Sequence, residues 1–365
     1  MRIAQVAPLA ESVPPKLYGG TERVVAWLID ELVGLGHEVT LFASGDSKTR
    51  AKLEPIIPRA IRLSRPRPDA FPAYAAQLDA VADAAASFDI IHCHIDWVHL
   101  PLLKGLGVPY LTTIHNRLDT PDLPAILARF KNAPLVSISD HHRQPVPGAH
   151  WLGTVYHGMP AASLAPSYAP GGYLAFLGRL TREKGPETAI RLAKAVGQPL
   201  RMAAKIPRSE TRYYKERLHP LIDNDQIRQV GELNDGGKGD LLRGASALLF
   251  PIDWPEPFGL VMIEAMACGT PVIAFRRGSV PEVIDEGVTG FIVENEEEAV
   301  AAIQRIGELD RRRVRARFEE RFTARRMAED YLRLYEALLQ DETRRALRSV
   351  KMLDGHNVGA LVAQD

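Results

Sequence analysis

The stretch EPFGLVMIEAMACG holds two carboxylates, Glu256 and Glu264, with seven mostly apolar residues between them. Pro255 and Pro257 resist helix continuation, so Phe258 or Gly259 is the earliest helix start, and Gly269 is a natural stop. Leu260, Val261, Met262, Ile263, Ala265, Met266 and Ala267 leave no polar stripe, the pattern of a helix buried all round. A buried carboxylate is costly unless it is paired or hydrogen-bonded, so Glu264 needs a donor. Read alone, the segment favours a structural salt bridge; the hydroxyls of a ligand are the other candidate. Glu256 lies in the loop before the helix, beside the exposed N–H groups around Phe258 to Leu260. Those amides can hold an anion or polar sugar oxygens. A helix-cap acid is the plainer reading of Glu256.

A second group of residues suits anion chemistry. In AFLGRLTREKGPETAI, Arg179 ends a strand pattern and Lys184 sits on the loop before a helix that opens near Pro186. A planar guanidinium and a point-charge ammonium at a strand–loop–helix junction fit a diphosphate, although Glu183 can pair with either. In KLYGGTERVV, Gly19 and Gly20 precede a helix and allow close backbone approach, without forming the G-x-G-x-x-G dinucleotide fingerprint. His94 and His115 end strand patterns at positions that point towards a cleft, and of the two His115 is the better candidate for a functional role.

Short apolar runs alternating with helical patterns position these residues, the signature of parallel sheets wrapped by helices. RIAQVAP, HEVTLFA, DIIHCHI, PYLTTIH and PLVSISD read as strands of a first α/β unit, and TERVVAWLIDELVGLG as its first helix. Residues 155–172 lapse into small residues, Pro and Gly and read as a linker. YLAFLGR, PLRMAAKI, RQVGEL, ALLFPI, PVIAF and GFIV read as a second sheet, and charged helical segments follow from Glu296 to Glu342. In open parallel sheets ligands sit beyond the carboxyl ends of the strands, where the candidate residues fall.

Composition narrows the function classes. The 365 residues exceed the usual size of one core, and 46% hydrophobic with 25% charged content is ordinary for a soluble globular protein. Lys plus Arg and Asp plus Glu both number 45, so no overall field recruits nucleic acid or an anionic membrane. The two cysteines, Cys93 and Cys268, lie inside apolar runs and read as reduced, buried thiols, hence a cytoplasmic expectation. No window approaches the ~20 apolar residues of a membrane span, and the N-terminus lacks the apolar core of a signal peptide.

In this order the pieces resemble the family 4 glycosyltransferases, retaining enzymes of the GT-B architecture. GRLTREKG and EPFGLVMIEAMACGTPVIAFRRGSVPEVIDEGVTGFIV carry the most specific likeness, and YGGTERVVAWLIDELVGLGHEVTLFASGDS a further one. The resemblance implies an α/β fold of two Rossmann-like parallel-sheet domains facing a central cleft. Residues 1–158 would form the acceptor side, completed by a returning helix at about 324–342; 159–323 would bind the nucleotide sugar, and 343–365 would be a tail. It implies catalytic roles for His115, Arg179, Lys184 and Glu256. Arg179 and Lys184 would neutralise the donor diphosphate, Glu264 would accept from the ribose, and Glu256 with the amides of Phe258, Gly259 and Leu260 would hold the transferred sugar. Gly19 and Gly20 would approach the diphosphate, and Glu232 and Leu233 would lie near the base.

The implied activity is hexose transfer from a nucleotide sugar, UDP-glucose favoured, to a sugar, lipid or small-molecule acceptor, with no metal, no cofactor and no nucleic-acid partner. A non-catalytic nucleotide-sugar-binding protein or an epimerase of the same architecture is the alternative. His157 stands where the family often carries Asn, and Lys205 where it often has a glycine-rich strand end. Asp223 to Asp225 imitate a metal motif in a stretch that reads as a turn. The arginine-rich segment 311–339 reads as an amphipathic helix pair with a solvated face, and weak peripheral membrane contact is its second reading.

Overall fold

The computed structural model describes residues 1–16 and 19–341. The expected tail 343–365 lies outside them.

Two wholly parallel sheets carry the chain. The first contains β1 (Arg2–Val6), β2 (Glu38–Ser44), β3 (Lys52–Ile57), β4 (Ile90–Cys93), β5 (Tyr110–Thr113), β6 (Leu135–Ser137) and β7 (Trp151–Thr154), in the order β3-β2-β1-β4-β5-β6-β7. The second contains β8 (Tyr173–Arg179), β9 (Leu200–Lys205), β10 (Ile227–Gly231), β11 (Ala245–Phe250), β12 (Val272–Phe275) and β13 (Gly290–Val293), in the order β10-β9-β8-β11-β12-β13. Each order reverses direction once, beside β1 and beside β8, and such switch points open crevices at the carboxyl ends of the strands. The central strands are near-continuous Val, Ile, Leu and Ala because helices cover both faces.

The sequence pattern passes over two strands, β3 and β7. Both lie at sheet edges, where β3 tolerates Pro55 and β7 spans only four residues with a glycine. Residues 155–172 hold no helix or strand beyond an isolated bridge of Met159 with Thr323. Asp223 is a turn residue: its Oδ1 accepts from the amides of Asp225 and Ile227 at 3.0 and 2.8 Å.

The two sheets are tied together at several points. A helix over 324–341 returns to the first sheet and buries Met327, Ala328, Tyr331 and Tyr335 among Ile3, Val25, Leu28 and Val136. Glu282 of the second half accepts from the amides of Asp140 and His141 at 2.6 and 2.7 Å, capping a short helix of the first half.

The segment 311–321 differs from expectation. Phe318 and Phe322 are buried, and so are Arg311 and Arg315, which were expected on a solvated face. Arg311 donates to the carbonyls of Ser167 and Ala245 and to Thr270 Oγ1 at 2.7–2.8 Å, and Arg315 to those of Ala161, Leu164 and Ala267 at 2.5–3.1 Å. Guanidinium forks are satisfied here by otherwise orphaned carbonyls of the linker and of a helix end. The rings of Phe318 and Phe322 are thus held in the core. No helix among the described residues is long and apolar enough to cross a membrane.

Candidate functional site

A cavity of about 890 Å³ opens between the carboxyl ends of the two sheets. His115, Arg179, Lys184 and Glu256 line it, as do Gly19, Gly20, Glu232, Leu233, Phe258, Gly259, Leu260 and Glu264. Every candidate from the sequence therefore reaches one space, from the end of β8 and from the segments that follow β1, β4, β5, β8, β10 and β11.

The helix of the opening motif runs Leu260–Ala267, with Gly259 before it in the left-handed region at φ 79°. A side chain there would be strained at that φ, and its Cβ would displace Met262 Cε, 2.7 Å away. Met262 N donates to Gly259 O at 3.0 Å, while Phe258, Gly259, Leu260 and Val261, which precede that bond, all line the cavity. Helix starts of this kind can take an anion or a hydroxyl.

Each of the two motif glutamates is held by a lysine from another element. Glu256 Oε2 contacts Lys184 Nζ and accepts from Trp254 Nε1 at 2.9 Å, with both charged side chains about seven-eighths buried. The ammonium also lies 4.8 Å from the centre of the Trp254 ring. Glu264 receives Lys238 Nζ at 2.5 Å. Lys238 sits on the helix Asp235–Arg243 and also pairs with Asp235 at 3.1 Å, which in turn binds Arg23 of the first half at 2.6 Å. Glu264 therefore finds its donor within the protein, and sequence reasoning missed Lys238. It stands in NDGGKGD, a polar, glycine-rich stretch with no helical periodicity; the one local signal is Asn234, which caps the helix by accepting from Gly237 N at 2.9 Å.

Two further cations lie on this wall. Arg179 faces Glu183 at 3.8 Å, and Lys205 faces Glu232 at 3.9 Å. The loop carrying Glu256 is supported from behind. Ser279 N donates to Glu256 O at 3.0 Å and Ser279 Oγ to Phe258 O at 2.9 Å. Gly278 packs so tightly that a Cβ would fall 2.3 Å from Glu256 O. These two residues lie in RRGSVPE, outside the candidates from sequence.

The first half contributes neutral imidazoles. His94 Nδ1 meets His115 Nε2 at 2.9 Å, and His94 Nε2 meets Gln5 Oε1 at 2.8 Å. With the amide oxygen of Gln5 as acceptor, His94 carries its proton on Nε2 and accepts at Nδ1 from His115 Nε2–H. Gln5 Nε2 reaches Tyr335 OH at 3.2 Å, and that hydroxyl meets His92 Nδ1 at 2.7 Å. His115 stacks on His157, ring centres 5.2 Å apart, and His157 meets Phe258 edge-on at 4.9 Å. Burial pushes the His115 pKa down to about 3 and holds His92, His94 and His157 well below their ordinary value. The group is uncharged at neutral pH.

Comparison with known proteins agrees with this architecture. A model of glycosyl transferases group 1 matches residues 167–324, and a model of glycosyltransferase family 4 matches residues 18–180. The spore coat protein SA of Bacillus subtilis is 26% identical over 385 residues, covering 92% of this chain and 99% of the relative. A D-inositol 3-phosphate glycosyltransferase of Kribbella flavida is 28% identical over 263 residues, covering 56% of this chain and 59% of that one. The crystal structure of Anabaena HepE in complex with UDP and glucose superposes with a TM-score of 0.71, at 20% identity over 92% of this chain and all of the other, a likeness of fold. The two family models overlap inside the chain and together span residues 18–324, so the chain belongs to the family 4 glycosyltransferases, transferases of the GT-B architecture.

Proposed function

We propose that this transferase moves a hexose from a nucleotide-sugar donor, UDP-glucose in the first instance, to a hydroxyl of its acceptor with retention of configuration and without a metal. The observation that carries the reading is the Lys184–Glu256 pair at the start of the Leu260–Ala267 helix. A cation for a diphosphate and a carboxylate for sugar hydroxyls stand side by side at a helix N-terminus. UDP and glucose in the HepE complex support the choice of donor.

In this reading residues 159–323 hold the donor, and residues 1–158 with the returning helix hold the acceptor. The diphosphate takes Lys184 and Arg179, and Glu256 then turns from Lys184 to the hydroxyls of the sugar. Lys238 steadies Glu264 while its other oxygen accepts from the ribose. Glu232 and Leu233 meet the base, Gly19 and Gly20 approach the diphosphate, and His115 stands beside the sugar. As the bond from the anomeric carbon to the diphosphate oxygen breaks, negative charge grows on the leaving phosphate, where Arg179, Lys184 and the first-turn amides stabilise it. The acceptor oxygen attacks from that same face, and its proton passes to the departing phosphate oxygen. The buried thiols of Cys93 and Cys268, pushed up in pKa by burial, support a reducing, cytoplasmic compartment.

The test is a screen of UDP-, GDP- and ADP-sugars for thermal stabilisation and slow donor hydrolysis. A ligand that binds only the folded state at a hundred times its Kd stabilises by about 2.7 kcal/mol. A raised midpoint with a UDP-sugar and a smaller one with UDP alone is expected. No shift with any sugar nucleotide would overturn the reading.

A further inference from the structure

Beside the mouth of the cavity, residues 58–76 join a cluster of arginines to the exposed tip of a helix. The stretch PRAIRLSRPRPDAFPAYAA places Arg59, Arg62, Arg65 and Arg67 within nine residues, and all four are exposed. The helix Ala70–Ala84 follows, and its first two turns expose Ala70, Phe71, Pro72, Ala75 and Ala76. Phe71 is 80% exposed, the most exposed large apolar side chain among the described residues. Asp69, the nearest acid in sequence, caps the helix by accepting from Phe71 N at 3.0 Å. Arg62 lies 3.6 Å from Glu11, and Arg65 donates to the carbonyls of Arg62 and Ser64, whereas Arg59 and Arg67 form no ion pair among the described residues. The chain as a whole has no net charge, so this collar is a local feature.

We propose that this collar and helix tip dock onto an anionic lipid bilayer. An exposed ring beyond a band of arginines matches the two signals that peripheral binding needs: apolar insertion at the acyl boundary and attraction to acidic headgroups. A soluble polyanion would satisfy the arginines and leave Phe71 in water, so the pairing of the two favours a bilayer. Arg62 and Tyr74, next to this surface, also line the cavity. Docking turns the cavity mouth to the membrane, which suits an acceptor held in or at the bilayer; that corollary alone rests on the proposed function.

Vesicle flotation of the full chain tests the proposal without requiring turnover. Binding is expected to vesicles of phosphatidylcholine with phosphatidylglycerol, to weaken as salt is raised, and to be absent with phosphatidylcholine alone. Each arginine at an anionic surface is worth roughly a fivefold change in partition, so Arg59→Ala with Arg67→Ala should weaken binding about twenty-five-fold. Neither residue lines the cavity, so donor hydrolysis and thermal midpoint should stay unchanged. Both native cysteines are buried, so a polarity-sensitive dye on Phe71→Cys labels one site and should report transfer into an apolar medium on anionic vesicles. No binding at low salt, equal binding to neutral vesicles, indifference to the arginine pair, or a dye that stays in water would each overturn the proposal. Docking without any sugar-nucleotide shift would leave this surface standing and sink the donor reading instead.

Discussion

The two walls of the cavity keep their buried polar groups by opposite means. In the first half the buried histidines are neutral imidazoles that bond to one another and to Gln5, Thr113 and Tyr335, with His115 Nδ1 left without a partner among the described residues, so these rings bury no charge. The second half buries full charges and matches each carboxylate with a lysine, Glu256 with Lys184 and Glu264 with Lys238. A neutral network loses stability when it is protonated; a charged pair loses it when one partner is removed. The difference also separates roles. Paired charges can exchange partners with an ionic ligand, whereas the imidazole network can only hold geometry unless a proton enters it.

Acid should break the first wall, and by the largest margin. His92, His94, His99 and His157 are at most 4% exposed, and burial lowers the pKa of each below its ordinary 6.5. The unfolded chain therefore binds more protons below pH 6.5. The stabilisation from keeping these rings neutral is complete above that pH and drains as pH falls, by about 1.4 kcal/mol per pH unit for each ring. Thermal midpoints from pH 7.5 to 5 should fall steeply below 6.5, and His92→Gln should flatten the slope. A level profile to pH 5 would contradict the neutral network.

Removing one charge should break the second wall. Lys184→Ala and Glu256→Ala are each expected to lower kcat/KM by about 10²–10³, the usual cost of losing one transition-state charge partner. Near-normal turnover in either folded variant would remove that residue from the site. Lys238→Met gives a smaller effect, ~2 kcal/mol of stability after discounting for partial exposure, because Glu264 is left buried without its cation. Adding Glu264→Leu should restore most of that loss in denaturant unfolding while abolishing nucleotide binding. A double variant no more stable than Lys238→Met would show that the pair does not carry the effect.

Much of the fold was legible because parallel strands buried on both faces leave continuous Val, Ile and Leu runs, as in RIAQV, ALLF and VIAF. The candidate site was legible because its residues follow those runs directly, at the strand ends where loops meet a cleft. Edge strands β3 and β7 were not, since an edge admits proline, glycine and polar residues. Lys238 was hidden because its value comes from a neighbour 26 residues away, and Gly278 and Ser279 because they act on the back of another loop.

By itself, then, the sequence determined two parallel α/β sheets, the order of their elements apart from the edge strands β3 and β7, and the set of side chains at the strand ends. Local propensity and apolar periodicity suffice for that, because both are properties of contiguous residues. The tertiary structure alone decided which charges meet. It paired Lys184 with Glu256 and Lys238 with Glu264, buried Arg311 and Arg315 on backbone carbonyls, and joined Gln5, His94 and His115 into one network. Electrostatic partnership depends on distances of a few ångströms between distant parts of the chain, and no contiguous stretch of residues encodes such a distance.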